Sequence, residues 1–327
     1  MHGLRTLMVM SLAFSLTACS KPTPSSSTQH TGFHSDSELD AKNLTIATAD
    51  ASSSYTTMGQ ELAELYQSQY QIPVYTKTTQ GSVDNLLLLK DKKADLALVM
   101  SDTFYDALQG NAEFKHPIHN VLQIAALYPS YIQIITPSQS SIQTLSDLKN
   151  KRIAVSAQSS RTETNAKRIL ASVGLKRNDY KMWYFGHAEA IDAFKNGRID
   201  AAIFSGHIPN QALKQLMHDG FSYKFIGVQD QQVKALQQQH PYFVATHIAA
   251  NSYGQHTAVP TVAVMHALVV RQDLSQQDVY ALTKSFFHHL PRLQQLSPAA
   301  QAIDLKQAQQ DLVFALHPGA IQYYQHK

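Results

Sequence analysis

Cysteine is almost absent: Cys19 is the sole one in 327 residues. That excludes an intrachain disulfide and any cysteine-rich metal site. Long apolar runs are equally scarce. Leu7-Met8-Val9-Met10-Ser11-Leu12-Ala13-Phe14 is too short to span a bilayer, and nothing after it approaches the length of a span. Charge of one sign is lacking too, with 27 Lys and Arg against 24 Asp and Glu and no basic stripe; no nucleic-acid partner is expected. There is no Gly-x-Ser-x-Gly elbow, P-loop or zinc-helix motif. The chain therefore reads as a non-enzyme with no catalytic residue and no cofactor. Its 16 histidines are scattered, and the close pairs His116/His119 and His288/His289 have no carboxylate pair nearby, so no metal centre is expected.

What is present begins with an address. Arg5 followed by the short apolar run reads as an export signal over residues 1–19. Leu16-Thr17-Ala18-Cys19 resembles the bacterial lipobox. That implies an exported protein anchored to the cell envelope, on the periplasmic face of a membrane, through a lipid on Cys19. Residues 20–42 are rich in Ser, Thr, Pro and His with few large apolar side chains, the composition of a flexible tether. The remainder, from 43 to 327, is long enough for two domains of ordinary size.

That remainder alternates short apolar strands with amphipathic helices. Leu44–Ala49, Ile72–Thr76 and Ala94–Val99 read as strands, the third apolar on both faces as a buried parallel strand requires. A helix is expected from Thr57, with Gln60 completing a capping box. Val121–Ile135 is a further strand region interrupted at Tyr128-Pro129. The pattern restarts with the strand Arg152–Val155, and a helix follows from Ser160, capped with Glu163 and ended by Gly174. Asn196–Gly206 echoes Lys92–Ser101, with Asp200 matching Asp95 and Ala202 matching Ala97. The last third reads as helical, around Val279–Leu290 and Pro298–Ala315, except for the long β-branched run Val259–Val270. The fold class is α/β, in two lobes with a ligand cleft between them. Lobe I takes 43–134 and 261–327, lobe II takes 135–260, and the hinge lies near 132–136 and 257–262.

Ligands of such sheets sit beyond the carboxyl ends of the strands. Gly81-Ser82 opens a helix, with Asn85 in its first turn, and Ser101-Asp102 ends a buried strand. The helix start favours an anion by about 0.3–1 kcal/mol, and capping is compatible with that role. Ser52, Ser53, Ser54 and Tyr55 offer hydroxyls and amides to a carboxylate, or form a surface turn. Asp102 suits a ligand ammonium or hydroxyl, or caps the next helix. Tyr128 walls the pocket or fills the core. Ser159, Ser160 and Thr162 repeat the helix-start logic in the second lobe. Arg161 carries a guanidinium fork suited to a carboxylate, or points into solvent.

From about Leu44 to Tyr324 the chain resembles the TAXI class of solute receptors for TRAP transporters. The matching pieces are Gly81–Asn85, Ala94–Asp102, Ala126–Pro129, Leu145–Val155, Thr162-Glu163, Asp200–Phe204, Val259–Val264 and His317–Ala320. The resemblance implies a two-lobe, type II periplasmic-binding fold. It also implies a small organic acid or amino acid as ligand, of the glutamate or 2-oxoglutarate kind, and membrane permease subunits of a TRAP transporter as partner. Ser205 and His207 match the class's strand-end loop in position, with His207 read as a structural or surface residue. The class is glycine-rich where Ala51–Tyr55 and Ser159–Glu163 stand here. A substrate-binding lipoprotein of an ABC importer, phosphonate- or sulfonate-like, shares the fold and is the alternative.

Overall fold

The computed structural model describes residues 38–51, 53–310, 312 and 314–327. The export signal, Cys19 and most of the expected tether lie outside the described residues. Among those described, no helix is long and apolar enough to cross a membrane.

Strands and helices first alternate: β1 (Leu44–Ala47), α1 (Ser54–Tyr70), β2 (Val74–Lys77), α2 (Ser82–Lys90), β3 (Leu96–Met100), α3 (Ser101–Gln109) and the long β4 (Val121–Pro137). The second run is β5 (Arg152–Val155), α4 (Arg161–Ala171), β6 (Lys181–Tyr184), α5 (His187–Lys195), β7 (Ala201–Gly206) and α6 (Gln211–His218). Then come β8 (Tyr223–Phe225), α7 (Asp230–Gln239), β9 (Phe243–Ile248), the long β10 (Val259–Arg271), α8 (Gln276–His288), α9 (Leu290–Leu296) and α10 (Pro318–Gln325).

The sheet order is β2-β1-β3-β10-β4-β7-β5-β6. Strands β2, β1 and β3 run parallel, as do β6, β5 and β7, while β10 lies antiparallel to β3 and β4 antiparallel to β7. Each half is thus three parallel strands in the same order, closed by one antiparallel strand. β4 and β10 pair with each other from Val121–Arg271 to Tyr131–Ala263 and so pass through both halves. This is the two-lobe, type II architecture. Apolar clusters flank each half-sheet on both faces. Leu62, Tyr66 and Phe286 lie on one side of the first lobe, Leu86, Phe104 and Phe114 on the other. Ile169, Leu170 and Val233 face Phe194, Leu213 and Leu216 across the second.

The echo noted in the sequence has a structural basis. Asp95 Oδ2 accepts the Thr45 amide of β1 at 2.7 Å and its other oxygen meets Arg271 at 2.9 Å. Asp200 Oδ2 accepts the Arg152 amide of β5 at 2.7 Å, and Arg152 Nη2 meets its Oδ1 at 2.7 Å. Both aspartates follow a left-handed turn residue three positions back, Lys92 (φ 57°) and Gly197 (φ 62°). The same clasp therefore joins the first and third strands of each lobe.

Several local expectations are corrected. Helix α1 starts at Ser54, and Ser53 rather than Thr57 is its N-cap, accepting from the Tyr55 amide at 3.2 Å. Tyr128-Pro129 does not break β4; Pro129 sits opposite Met265 beside a register shift, where proline costs the ladder little. Pro298–Ala315 is not one helix but two short 3₁₀ turns, at Pro298–Ala302 and Gln307–Gln309. Asp304 separates them by accepting the Lys306 and Gln307 amides. Strand β9 lies in the stretch read as helical. The expected tether ends docked, with Leu39 buried and the Asp40 and Ala41 amides donating to the Asp278 carboxylate at 2.7 and 3.0 Å.

Replacing Asp200 by alanine strands the Arg152 amide, whereas the half-exposed ion pair adds little. Asp200→Ala is expected to lower unfolding stability by about 1–2 kcal/mol, read as a lower urea midpoint. An unchanged midpoint would contradict the clasp.

Candidate functional site

In a parallel half-sheet every helix starts at the carboxyl edge, so α1, α2 and α3 open on one side of the cleft and α4, α5 and α6 on the other. On the first lobe, Gly81 is the N-cap of α2 at φ 111° and ψ −151°, a conformation that excludes a side chain at low cost. Ser82 Oγ accepts the Met100 amide at 3.0 Å, tying α2 to the end of β3. Ser101 follows as the first residue of α3; it is buried, and its Oγ has no hydrogen-bond partner.

The floor between the lobes is aromatic and uncharged. Tyr55, on the first turn of α1, hydrogen-bonds His266 Nδ1 at 2.6 Å, their rings edge to face. Tyr128 stacks on His266 with centroids 4.4 Å apart, approaches the His207 ring at 5.8 Å, and shares a hydrogen bond with Ser54 Oγ at 3.0 Å. Burial, aided by His207, pushes the pKa of His266 down to about 3. Burial also lowers that of His207. It raises Tyr128 to about 12, against the Ser54 hydrogen bond, and Tyr55 well above its usual value. At neutral pH the floor thus offers hydroxyls and imidazoles without charge.

On the second lobe, Ser160 caps α4 by accepting the Glu163 amide at 3.2 Å. The preceding Ser159, at φ 62°, donates its amide to Glu163 Oε2 at 2.6 Å. Thr162, Ser156, Val155, Phe204 and Ser205 line a cavity of about 10 Å³ at the ends of β5 and β7, room for a single water. Ser205 Oγ is buried there without a hydrogen-bond partner. Each lobe therefore ends in one unsatisfied buried hydroxyl, a costly arrangement unless something else fills it.

Three expected ligand contacts have partners within the protein. Asn85 is fully buried; its amide donates to the Thr48 and Leu98 carbonyls at 2.7 and 2.8 Å and its oxygen accepts from Thr79 at 2.7 Å. It sutures the ends of β1 and β3. Asp102, also fully buried, accepts from the Thr103 amide and hydroxyl and from Asn165 Nδ2 at 2.8 Å; burial raises its pKa against the pull of Arg161. Arg161 points neither to a free ligand position nor into solvent, because its fork holds Asp106 at 2.7 Å and Glu113 at 3.1 Å. Ser53, Ser54, Tyr55, Gly81, Ser82, Ser101, Tyr128, Ser159, Ser160, Thr162 and Ser205 stand at the two carboxyl edges or on the floor, while Ser52 lies outside the described residues. Sequence reasoning passed over His266, although a lone histidine inside the β-branched run Val259–Val270 was the available signal. His207, read as structural or surface, is exposed, with its ring 5.8 Å from that of Tyr128.

Two half-sheets whose carboxyl edges meet over a shared pair of long strands define a two-lobe protein of the periplasmic-binding type. The putative sulfonate ABC transporter, periplasmic sulfonate-binding protein SsuA from Methylobacillus flagellatus KT superposes on it with a TM-score of 0.51 and 15% identity, covering 88% of this chain and 85% of that one. The aliphatic sulphonate binding protein SsuA of Escherichia coli is a looser match, with a TM-score of 0.46 and 14% identity over 88% and 84%. The profile of the NMT1-like family matches residues 46–327. The chain belongs to the NMT1-like family.

The His266 imidazole gives a pH dependence with a definite sign. Unfolded histidine takes up a proton as pH falls through about 6.5, whereas folded His266 stays neutral to about 3. The unfolded state then binds more protons, so stability falls as pH drops from 6.5 toward 3. Asp200 and Glu163, whose pKa values are lowered, add to this loss only below about pH 4. His266→Asn is expected to flatten the slope of urea midpoint against pH between 6.5 and 4.5. Equal slopes for the two proteins would contradict a neutral His266.

Proposed function

We propose that this protein is a non-catalytic solute receptor of the cell envelope that closes over a small oxyanion and hands it to a membrane permease. The observation that supports this best is the pair of unpartnered buried hydroxyls, Ser101 Oγ and Ser205 Oγ, one at the carboxyl edge of each lobe. A ligand accepting from both bridges the cleft. The helix starts at Ser53, Gly81 and Ser160 add amide dipoles of the sign that favours an anion. Arg161 is occupied by Asp106 and Glu113, and the floor is neutral, so recognition falls to hydroxyls and amides rather than to a guanidinium fork. That chemistry suits a ligand with a single anionic group, such as a sulfonate or monocarboxylate, better than a dicarboxylate.

The fold likeness to a sulfonate-binding protein of an ABC transporter favours an ABC-type permease as partner. The collinear resemblance to the TAXI class supports a second reading, a TRAP-type permease fed with an organic acid such as glutamate or 2-oxoglutarate. In either case acylation of Cys19 anchors the receptor, since two chains hold a protein at a membrane where one does not. The lobes divide in this reading as 43–134 with 261–327, and 135–260.

A receptor gains stability on binding by mass action, about 2.7 kcal/mol at a hundredfold excess over Kd. Alkanesulfonates or monocarboxylates are expected to raise the melting temperature of the full chain, and glutamate and 2-oxoglutarate to raise it less. Ser101→Ala and Ser205→Ala should each weaken binding about tenfold or more, since a hydrogen bond to a charged group contributes about 1.5–3 kcal/mol. No shift across sulfonates, monocarboxylates, dicarboxylates and amino acids would overturn the receptor reading; a shift with dicarboxylates alone would favour the second one.

A further inference from the structure

The face of α4 that meets the first lobe is a polar row, Arg161, Asn165 and Arg168, spaced i, i+4, i+7 as one helix face requires. Opposite it, α3 presents Asp102 and Asp106 at i, i+4. Asp106 is gripped by both guanidiniums: Arg161 Nη1 donates at 2.7 Å, and Arg168 Nη2 at 2.9 and 3.2 Å. The second nitrogen of Arg161 reaches Glu113 at 3.1 Å. Asn165 Nδ2 donates to Asp102 at 2.8 Å. On the second lobe's side the row is braced by Tyr242, whose hydroxyl accepts from Arg168 Nη1 at 2.5 Å and donates to Asn165 Oδ1 at 3.4 Å. Tyr105 of α3 adds an apolar contact, its ring 5.6 Å from that of Tyr242.

The Asp106 side chain is 1% exposed, with Arg161 at 18% and Arg168 at 17%, so salt screens their attraction weakly. These bonds join α3 of one lobe to α4 of the other, so the lobes cannot part here without breaking them. We propose that the Asp106–Arg161–Arg168–Glu113 row is an interlobe lock that holds the receptor closed without ligand, so that capture begins with its release. The lock is reversible for a physical reason: hydration regained by the separated charges offsets much of the Coulombic attraction lost. This inference rests on the receptor reading, since a protein that admits no solute has no need to open.

The test needs no ligand. The full chain carrying Cys19→Ser, Gln109→Cys and Ala171→Cys is dialysed free of small molecules and spin-labelled at the two new cysteines, both at exposed positions, on α3 and α4. With the row intact, one short, narrow inter-label distance is expected. Arg161→Ala leaves Asp106 paired to Arg168, so no buried charge is abandoned, and should add a population longer by several ångströms. Glu113→Gln, at the half-exposed end of the row, should move the distribution the same way by less; it serves if Arg161→Ala fails to fold. A broad or long distribution in the intact protein, or no change in the folded variants, would overturn the lock. Either outcome is independent of the ligand panel, whose failure would strike the receptor reading alone.

Discussion

Everything at this site depends on the antiparallel pairing of β4 with β10. Those two strands run through both half-sheets, β10 completing the first beside β3 and β4 completing the second beside β7. Because the parallel strands on each side keep one direction, the pairing turns their carboxyl edges, and every helix start after them, toward one crevice. The same two strands also supply floor residues of the cleft, Tyr128 on β4 and His266 on β10. A change in the register of this pair would move the floor and both rims together.

The floor shows how burial selects chemistry. Desolvation disfavours the charged form of each group, and here it keeps His266 and His207 neutral and the Tyr55 and Tyr128 phenols protonated. The full charges near the cleft are gathered instead on the α3–α4 side, where Asp106 takes both arginines. The result separates two tasks in space. Hydroxyls and amides face the crevice, and ion pairs span the lobes beside it.

Local features were legible in the sequence because their partners are local. The Gly81-Ser82 turn, the Ser160–Glu163 cap and the Asp95/Asp200 echo each involve a few neighbouring residues or a strand start that recurs. Long-range partners were not legible. Arg161 reads as a free fork until α3 brings Asp106 to it, although the 102/106 and 161/165/168 spacings already marked two polar faces. Ser101 and Asp102 are adjacent, yet one is left unpartnered and the other is consumed by Thr103 and Asn165, a difference set by which way each leaves the helix start. Asn85 read as a site residue because anion sites and strand sutures both use an amide at a helix start. β9 escaped because its burial alternates along a short edge segment, and the Pro298–Ala315 pattern misled because Asp304 offers the backbone a competing turn.

In the proposed receptor two hydroxyls, one per lobe, close on a single oxyanion above the Tyr55–Tyr128–His266 floor. A crystal structure of the full chain grown with the ligand that raises its melting temperature most tests this directly. Ligand oxygens are expected within hydrogen-bond distance of both Ser101 Oγ and Ser205 Oγ. A ligand seated elsewhere, with both hydroxyls still untouched, would contradict it.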